Sequence, residues 1–428
     1  MESALRRTAQ GGSLKINGGS MFWLKWISII AIYLLVYVFS QIFSFGNYFF
    51  PCLLTSAVVF FLVFYVSRKR FLQQLTLETL QSDEAVPHDA RVAVVFVVKN
   101  EGERFVKNVR DYLSLTGPIQ VYVYDDHSDD QTVEKLYALQ CETDPLTGVD
   151  YRDRLHIRSV PVSEKRMHPK GIALEEAFHT IDCDLFFVGD ADTAISGETF
   201  GKALNYLIRE RYDVLHLTRR NIEQDTLSYS IADSDEIFVS GLHTLNVIPF
   251  NFTGSSFFIS SKIAGKINFP SQVYSEDSEI GRQACVYARK KGFSISCHTW
   301  ERAPQTLFLL LKQRWNWNKY AMNQYFEQNF PVIILAVLLS ANLMFGLLSI
   351  YSFNFLCTLI GLFCALAFSL STNLYIASKK FSEAFISSCA YVLVILLQFG
   401  ILYFIQILFL LKDQHAGVRY CKTESLAK

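Results

Sequence analysis

Long apolar stretches at both ends of the chain restrict its architecture more than any other feature. Phe22 to Phe43 (FWLKWISIIAIYLLVYVFSQIF) is apolar apart from Lys25, two serines and a glutamine, and Tyr48 to Val66 follows after a short break. Pro331 to Tyr351, Phe355 to Ala377 and Ala384 to Leu411 form a second cluster. Each reaches the roughly 20 residues that cross a bilayer core. The sequence therefore predicts five spans, the last long enough to tilt or break. The first reads as a retained signal-anchor: its apolar run is too long for a cleaved signal, no small-residue cleavage site follows, and a second span comes at once.

Basic residues set the orientation. Arg6, Arg7 and Lys15 precede the first span, and Arg68, Lys69 and Arg70 follow the second, so both flanks and the long middle region are expected on the cytoplasmic side. Lys379 and Lys380 fit that side as well. Lys412, Arg419, Lys422 and Lys428 mark the tail, although five spans would place it outside. With 40 basic and 40 acidic side chains the formal charge is zero, which gives no reason to expect nucleic acid as a partner. The 9 cysteines have no paired spacing and the 9 histidines form no H-E-x-x-H set, so neither a disulfide framework nor a zinc site is indicated.

Between Ala90 and Phe326 lies enough chain for one α/β domain. Val92 to Val98 (VAVVFVV) is a continuous valine-rich run, as expected of a strand buried on both faces of a parallel sheet. Lys99 to Gly102 breaks it, and Glu103 to Leu115 has helical spacing. Ile119 to Tyr124 (IQVYVY) is a second strand ending in Asp125 and Asp126, Thr132 to Leu139 a second helix, and Leu185 to Val188 a third strand running into Asp190 and Asp192. Strand, acidic turn and helix in repetition describe an open, mostly parallel, Rossmann-like sheet. In such sheets ligands bind at the carboxyl ends of the strands. Glu101, Asp125, Asp126, Asp190 and Asp192 all fall there. Acids gathered on one rim disfavour one another's charged forms and call for a cation. Taken singly, Asp125-Asp126 also reads as a turn capping the next helix, and Asp190-x-Asp192 as a plain surface turn.

At these residues the chain resembles the processive family 2 glycosyltransferases, which include cellulose, chitin and hyaluronan synthases. The likeness runs from Ala90 to Phe326 and into the flanking spans. Asn100-Glu101 stands where the family has its P-x-Y-N-E turn. Asp125-Asp126-x-Ser128-x-Asp130-x-Thr132 resembles the D-D-G-S-x-D-x-T nucleotide loop, and Pro169-Lys170-Gly171 with Ala173-Leu174 the G-K-x-x-A-L-N segment. Asp190-Ala191-Asp192 is similar to the D-x-D motif and Phe252-Thr253-Gly254-Ser255 to the F-C-G-S acceptor segment. Ser275-Glu276-Asp277 stands for T-E-D, and Gln313-Arg314-Trp315-Asn316-Trp317 for Q-R-x-R-W. Asn316 replaces an arginine of the pattern, His127 a glycine, Glu175 an asparagine and Lys99 a tyrosine.

The resemblance implies a GT-A domain flanked by transmembrane helices. Its expected boundaries are a cytoplasmic tail at 1–20, two spans at 21–67, a linker at 68–89, the catalytic domain at 90–300, an amphipathic interfacial helix at 301–327, about three spans at 328–411 and a tail at 412–428. A divalent cation, Mg²⁺ or Mn²⁺, would be held by Asp190 and Asp192. Glu101, Asp125, Asp126, Lys170 and Asp190 would contact a nucleotide-sugar donor, expected to be UDP-linked. Asp277 would be the general base beside Glu276, with inversion at the anomeric carbon. Gly254, Ser255 and Trp317 would face the acceptor, with Gln313, Arg314 and Trp317 over the active site. By composition alone, Trp315 and Trp317 also fit a helix lying at a membrane interface.

The implied activity is transfer from a nucleotide diphosphate-sugar to a growing β-linked polysaccharide with coupled export, in a multi-pass protein of the plasma (inner) membrane among membrane lipids. A same-fold enzyme adding one sugar to a lipid, ceramide or polyprenyl phosphate, is the first alternative. A non-catalytic scaffold or transporter is the second, and the nearly charge-free spans count against it.

Overall fold

The computed structural model describes residues 49–82, 89–317 and 353–397, less short breaks at 116, 145–147, 164–167, 223, 225, 247–249, 251, 253, 271–272 and 274. The expected spans Phe22 to Phe43 and Pro331 to Tyr351, both tails and the end of the last apolar segment lie outside the described residues. Helix α1 (Phe49–Ser82), 34 residues long, takes up the second apolar segment and continues past Arg68-Lys69-Arg70 to Ser82. Most of the expected 68–89 linker is therefore helix, because Lys, Arg, Leu, Gln and Glu carry it onward with no Gly or Pro to stop it. Among the described residues no helix is long and apolar enough to cross a membrane.

The middle region folds as a seven-stranded sheet in the order β3-β2-β1-β4-β6-β5-β7. Strands β1 (Val92–Val98), β2 (Ile119–Asp125), β3 (Leu155–Ser159) and β4 (Leu185–Val188) run parallel to one another. The helices between them are α2 (Gly102–Leu113), α3 (Thr132–Gln140) and α4 (Pro169–Thr180). After α5 (Gly197–Glu210), strand β5 (Val214–Asn221) leads into α6 (Leu227–Thr244). Strand β6 (Phe257–Ser260) is antiparallel to both β4 and β5, and β7 (Lys291–Glu301) is again parallel to β5. The short α7 (Ser261–Ala264) and α8 (Glu276–Tyr287) lie between β6 and β7.

The valine-rich run behaves as its composition requires. Val92, Val94, Phe96 and Val98 pack on one face of the sheet with α2, α3 and α5, and Ala93 and Val95 on the other with α4 and α8. Each buried Val or Phe contributes about 1.5–3 kcal/mol, so the sheet's centre is a rigid base for whatever its edge carries. Because β6 is reversed, its amino end, rather than its carboxyl end, lies beside the carboxyl ends of β4 and β5. Residues 254–256 thereby join the same rim as the loops after β1, β2 and β4.

The β5–β7 ladder skips residues between Leu217 and Thr218, which pair with Ser294 and His298. The bulged backbone loses ladder partners, and α1 supplies a replacement. Glu78, fully buried, accepts from Ser294 Oγ at 2.8 Å, Ile295 N at 3.1 Å, Ser296 N at 2.9 Å and Ser296 Oγ at 2.6 Å. Beyond β7, residues 307–317 form α9, and the chain resumes as α10 (Phe353–Tyr375) and α11 (Phe381–Leu397). Helix α10 packs along α1, with Phe71 against Phe368 at 5.9 Å between ring centroids.

Candidate active site

Strand ends bring the acids of the sequence together on one rim. The β1 and β2 ends are tied into a single loop pair: Ser128 Oγ accepts from Asn100 N at 3.0 Å, Asn100 Oδ1 accepts from Asp129 N at 2.9 Å, and Thr132 Oγ1 accepts from Gly102 N at 2.8 Å. Asp125, buried at the end of β2, accepts from Ser128 N at 3.1 Å, and Asp126 lies 3.3 Å from Lys99 Nζ. His127 holds a left-handed backbone with φ +54°, a conformation glycine adopts freely and other residues rarely. A glycine-type turn is thus kept there by a residue that is not glycine.

After β4 the acids turn inward. Lys170, in the first turn of α4, places Nζ 2.5 Å from Asp190 Oδ1 and 3.7 Å from Glu276 Oε1. One ammonium so joins the D-A-D turn to the acidic first turn of α8, where Ser275 Oγ donates to Asp277 Oδ1. Burial raises the Asp190 carboxyl, but the Lys170 charge outweighs it and leaves the group below the usual carboxylate range. Glu276 is raised by burial and by Asp277, against the pull of Lys170. Burial lowers the Lys170 ammonium's own pKa, and Asp190 and Glu276 more than reverse that. Asp192 is raised by burial and by Asp190, with Arg104 3.9 Å away, and Glu101 is raised by burial and by Asp192. The rim is short of positive charge.

The opposite wall comes from β5, β6 and β7. Thr193 Oγ1 accepts from Asp190 N at 2.9 Å and lies 3.0 Å from Ser255 Oγ, which donates to Glu301 Oε1 at 3.0 Å. Burial, with Asp192, Asp190 and Glu236 adding to it against Arg219, pushes the Glu301 carboxyl up to about 7. Arg219 is buried on β5; its Nη2 lies 2.8 Å from Glu236 Oε2 and its Nη1 3.6 Å from Glu301 Oε2. Two guanidinium carbons lie over the Trp317 ring on α9, that of Arg314 at 4.2 Å and that of Arg219 at 5.7 Å from its centroid. Arg219 Nε and Arg314 Nη1 are buried with no hydrogen-bond partner among the described residues.

The structure thus gathers Lys170, Asp190, Asp192, Glu276 and Asp277 on one side, and Gly254, Ser255, Arg314 and Trp317 on the other. Asp125, Asp126 and Glu101 sit on the same carboxyl edge in the β1–β2 loops. Gln313 is half-buried on α9. Sequence reading missed Arg219, Glu301, Glu236 and Thr193. The signal available was the adjacent pair Arg219-Arg220 inside VLHLTRRN, since a buried strand carries charges only when they are paired. No cluster of three or more His, Cys, Asp and Glu side chains able to hold a metal occurs among the described residues. Asp190 and Asp192 nonetheless fit a cation of the Mg²⁺ type, which takes one or two carboxylates and completes its shell with substrate phosphates and water.

A mostly parallel sheet with acids along its carboxyl edge defines an α/β domain built to hold a charged ligand at that edge. Residues 93–267 match the family model for Glycosyl transferase family 2. No curated relative matches the chain. Among solved structures it is similar to S. aureus TarS, at 16% identity over 58% of this chain and 43% of that one, with a TM-score of 0.36. It is also similar to the mannosyltransferase PcManGT from Pyrobaculum calidifontis in complex with GDP-Man and Mn²⁺, at 12% identity over 85% and 100% of the two chains, TM-score 0.47. A third is glucosyl-3-phosphoglycerate synthase from Mycobacterium tuberculosis in complex with Mn²⁺, UDP and phosphoglyceric acid, at 15% identity over 58% and 80%, TM-score 0.36. The chain spans less than half the length of the TarS structure it matches.

Proposed function

We propose that this chain is a membrane-embedded, inverting glycosyltransferase that moves a sugar from a nucleoside diphosphate to the growing end of a β-linked polysaccharide. The observation that carries the proposal is the Lys170 bridge between Asp190 and Glu276. It unites the acids suited to a phosphate-bound cation with the helix turn carrying Asp277, so donor and base belong to one site. A divalent cation held by Asp190 and Asp192 would supply charge neutralisation at the leaving diphosphate. Lys170 adds a second positive charge there. The acceptor hydroxyl oxygen forms the new bond to the anomeric carbon as the bond to the diphosphate oxygen breaks, and its proton passes to the Asp277 carboxylate. Ser275 Oγ, donating to Asp277, orients that carboxylate. One displacement gives inversion.

Membrane embedding is supported by the apolar segments and by the surface of α1, where Leu54, Val58, Phe61, Leu62 and Tyr65 are exposed together. On α11 Phe381, Phe385 and Ile386 are exposed likewise. Apolar patches of this kind mark contact with lipid or protein. On this reading the catalytic domain faces the cytoplasm, as Arg68-Lys69-Arg70 would direct, and the plasma (inner) membrane is the site.

The test is nucleotide release by detergent-purified protein with Mn²⁺ or Mg²⁺, offered UDP-glucose, UDP-N-acetylglucosamine, UDP-glucuronate or GDP-mannose. One donor converted to a long glycosidase-sensitive polymer, and inactive in Asp277→Asn, is the expected result. A short lipid-linked product would replace the polysaccharide with a lipid acceptor. No release from any donor, with lipid supplied, would overturn the proposal.

A further inference from the structure

Helix α6 presents a run of four polar residues, Asp233, Ser234, Asp235 and Glu236, engaged by partners from β5, α9, α10, α11 and the α10–α11 turn. Asp233 receives Arg220 of β5 through Nε at 2.8 Å and Nη2 at 3.1 Å, and Lys379 from the α10–α11 turn at 2.9 Å. Ser234 Oγ donates to Asn373 Oδ1 of α10 at 3.3 Å. Asp235 accepts from Tyr391 Oη of α11 at 2.8 Å through Oδ1, and Arg314 Nη2 lies 2.8 Å from its Oδ2. Glu236 stands between Arg219, at 2.8 Å, and Arg314, at 3.7 Å. Ile231 of α6, Leu310 of α9 and Tyr391 of α11 share one apolar cluster, so the three helices meet where these polar groups lie.

We infer that Asp235 is a positioning residue for Trp317, held in place by the Tyr391 hydroxyl of the C-terminal helix. The two oxygens of Asp235 are divided between Tyr391 and Arg314, and the guanidinium carbon of Arg314 in turn lies 4.2 Å from the indole centroid of Trp317. Arg314 is buried on α9 and Trp317 is partly exposed at the rim. A carboxylate that accepts a second, well-aligned bond loses rotational freedom, and so does the guanidinium bound to it. The orientation of the indole beside Arg219 is therefore set from α11, outside the α/β domain. Its consequence for transfer rests on the proposed function, in which Trp317 faces the acceptor. Tyr391 touches no reacting group; it acts through Asp235 and Arg314.

The experiment is a double-mutant cycle on full-length, detergent-purified protein: wild type, Y391F, W317F and the double variant. Two quantities are read on each. Acrylamide quenching of tryptophan emission, with Trp317 isolated by subtracting W317F, needs no substrate. Nucleotide release from a UDP-sugar reports transfer. Y391F is expected to make the Trp317 emission more quenchable and to lower release roughly tenfold, the factor expected from one lost hydrogen bond to a charged group. In the W317F background it should change neither. An equal loss with and without Trp317, or unchanged Trp317 emission in Y391F, overturns the inference and leaves Tyr391 as packing. If Y391F does not fold, Asp235→Asn takes its place and must show the same dependence on Trp317. An emission response with no release from wild type would keep the positioning role and remove the transfer reading.

Discussion

The Arg219 guanidinium fills the space in front of Gly254: a Cβ built on that glycine would stand 2.8 Å from Nη1 and 4.0 Å from Asp190 Oδ2. Gly254 also has φ +99°, where a side chain is strained whatever its surroundings. Gly254→Ala therefore carries a backbone cost of about 1–3 kcal/mol and pushes Arg219 away from Glu301. Nucleotide release should fall at least about tenfold and the melting temperature should drop. Wild-type rates with a lowered melting temperature would separate Arg219 from the chemistry.

Lys170→Gln removes the one ammonium between Asp190 and Glu276. Two half-buried acids then lose the ammonium they share, and partial solvent exposure keeps the cost below the about 3–5 kcal/mol of a fully buried pair. The expected outcome is weaker UDP binding by calorimetry together with a lower unfolding midpoint. UDP affinity unchanged within error would place the phosphates away from this lysine.

Asp277→Asn keeps the size and the contact with Ser275 while removing the proton acceptor. A general base contributes about 10²–10⁴-fold, so kcat should fall by a factor in that range with little change in donor KM. Steady-state nucleotide release measures both. A change confined to KM would make Asp277 a binding group instead.

His298 makes stability pH-dependent. Its Nε2 lies 2.9 Å from Ile295 O, and burial, with the Arg220 charge adding, pushes its pKa down to about 4. Below the ordinary imidazole value the unfolded chain binds a proton that the folded chain does not. Its contribution is therefore full above about pH 6.5 and is lost as the pH falls towards 4, by up to about 3 kcal/mol. Thermal melts of wild type and His298→Gln at pH 7 and pH 5 should show a smaller acid loss in the variant. Equal losses would assign the acid sensitivity to other groups.

Much of the first half of the domain was legible in sequence, because a strand buried on both faces must be continuously apolar. Val92–Val98, Ile119–Asp125 and Leu185–Val188 carry that mark, and the acids that end them are on the rim. The second half was not legible. Strand β5 holds His216, Arg219, Arg220 and Asn221, all buried, and is stable only because Glu236, Glu301 and Asp233 arrive from elsewhere in the chain. No local pattern announces such partners. The reversal of β6 was hidden for the same reason: direction is decided by which neighbours a strand meets, and Phe257–Ser260 reads alike either way. The motif residues could be named one by one, but their division into a Lys170 side and an Arg219 side belongs to the fold.

The carboxylate of Glu78 sets how this chain can be trimmed. Anyone wishing to free the α/β domain from its greasy flanks would cut just ahead of β1, where the chain leaves α1. That cut would leave the four donors of residues 294–296 without their shared acceptor in the interior of the protein. The same strand ends in Glu301, so the damage would run to the rim. A water-soluble catalytic fragment must therefore keep the polar half of α1, from about Phe71 onward, and shed only the half that precedes it.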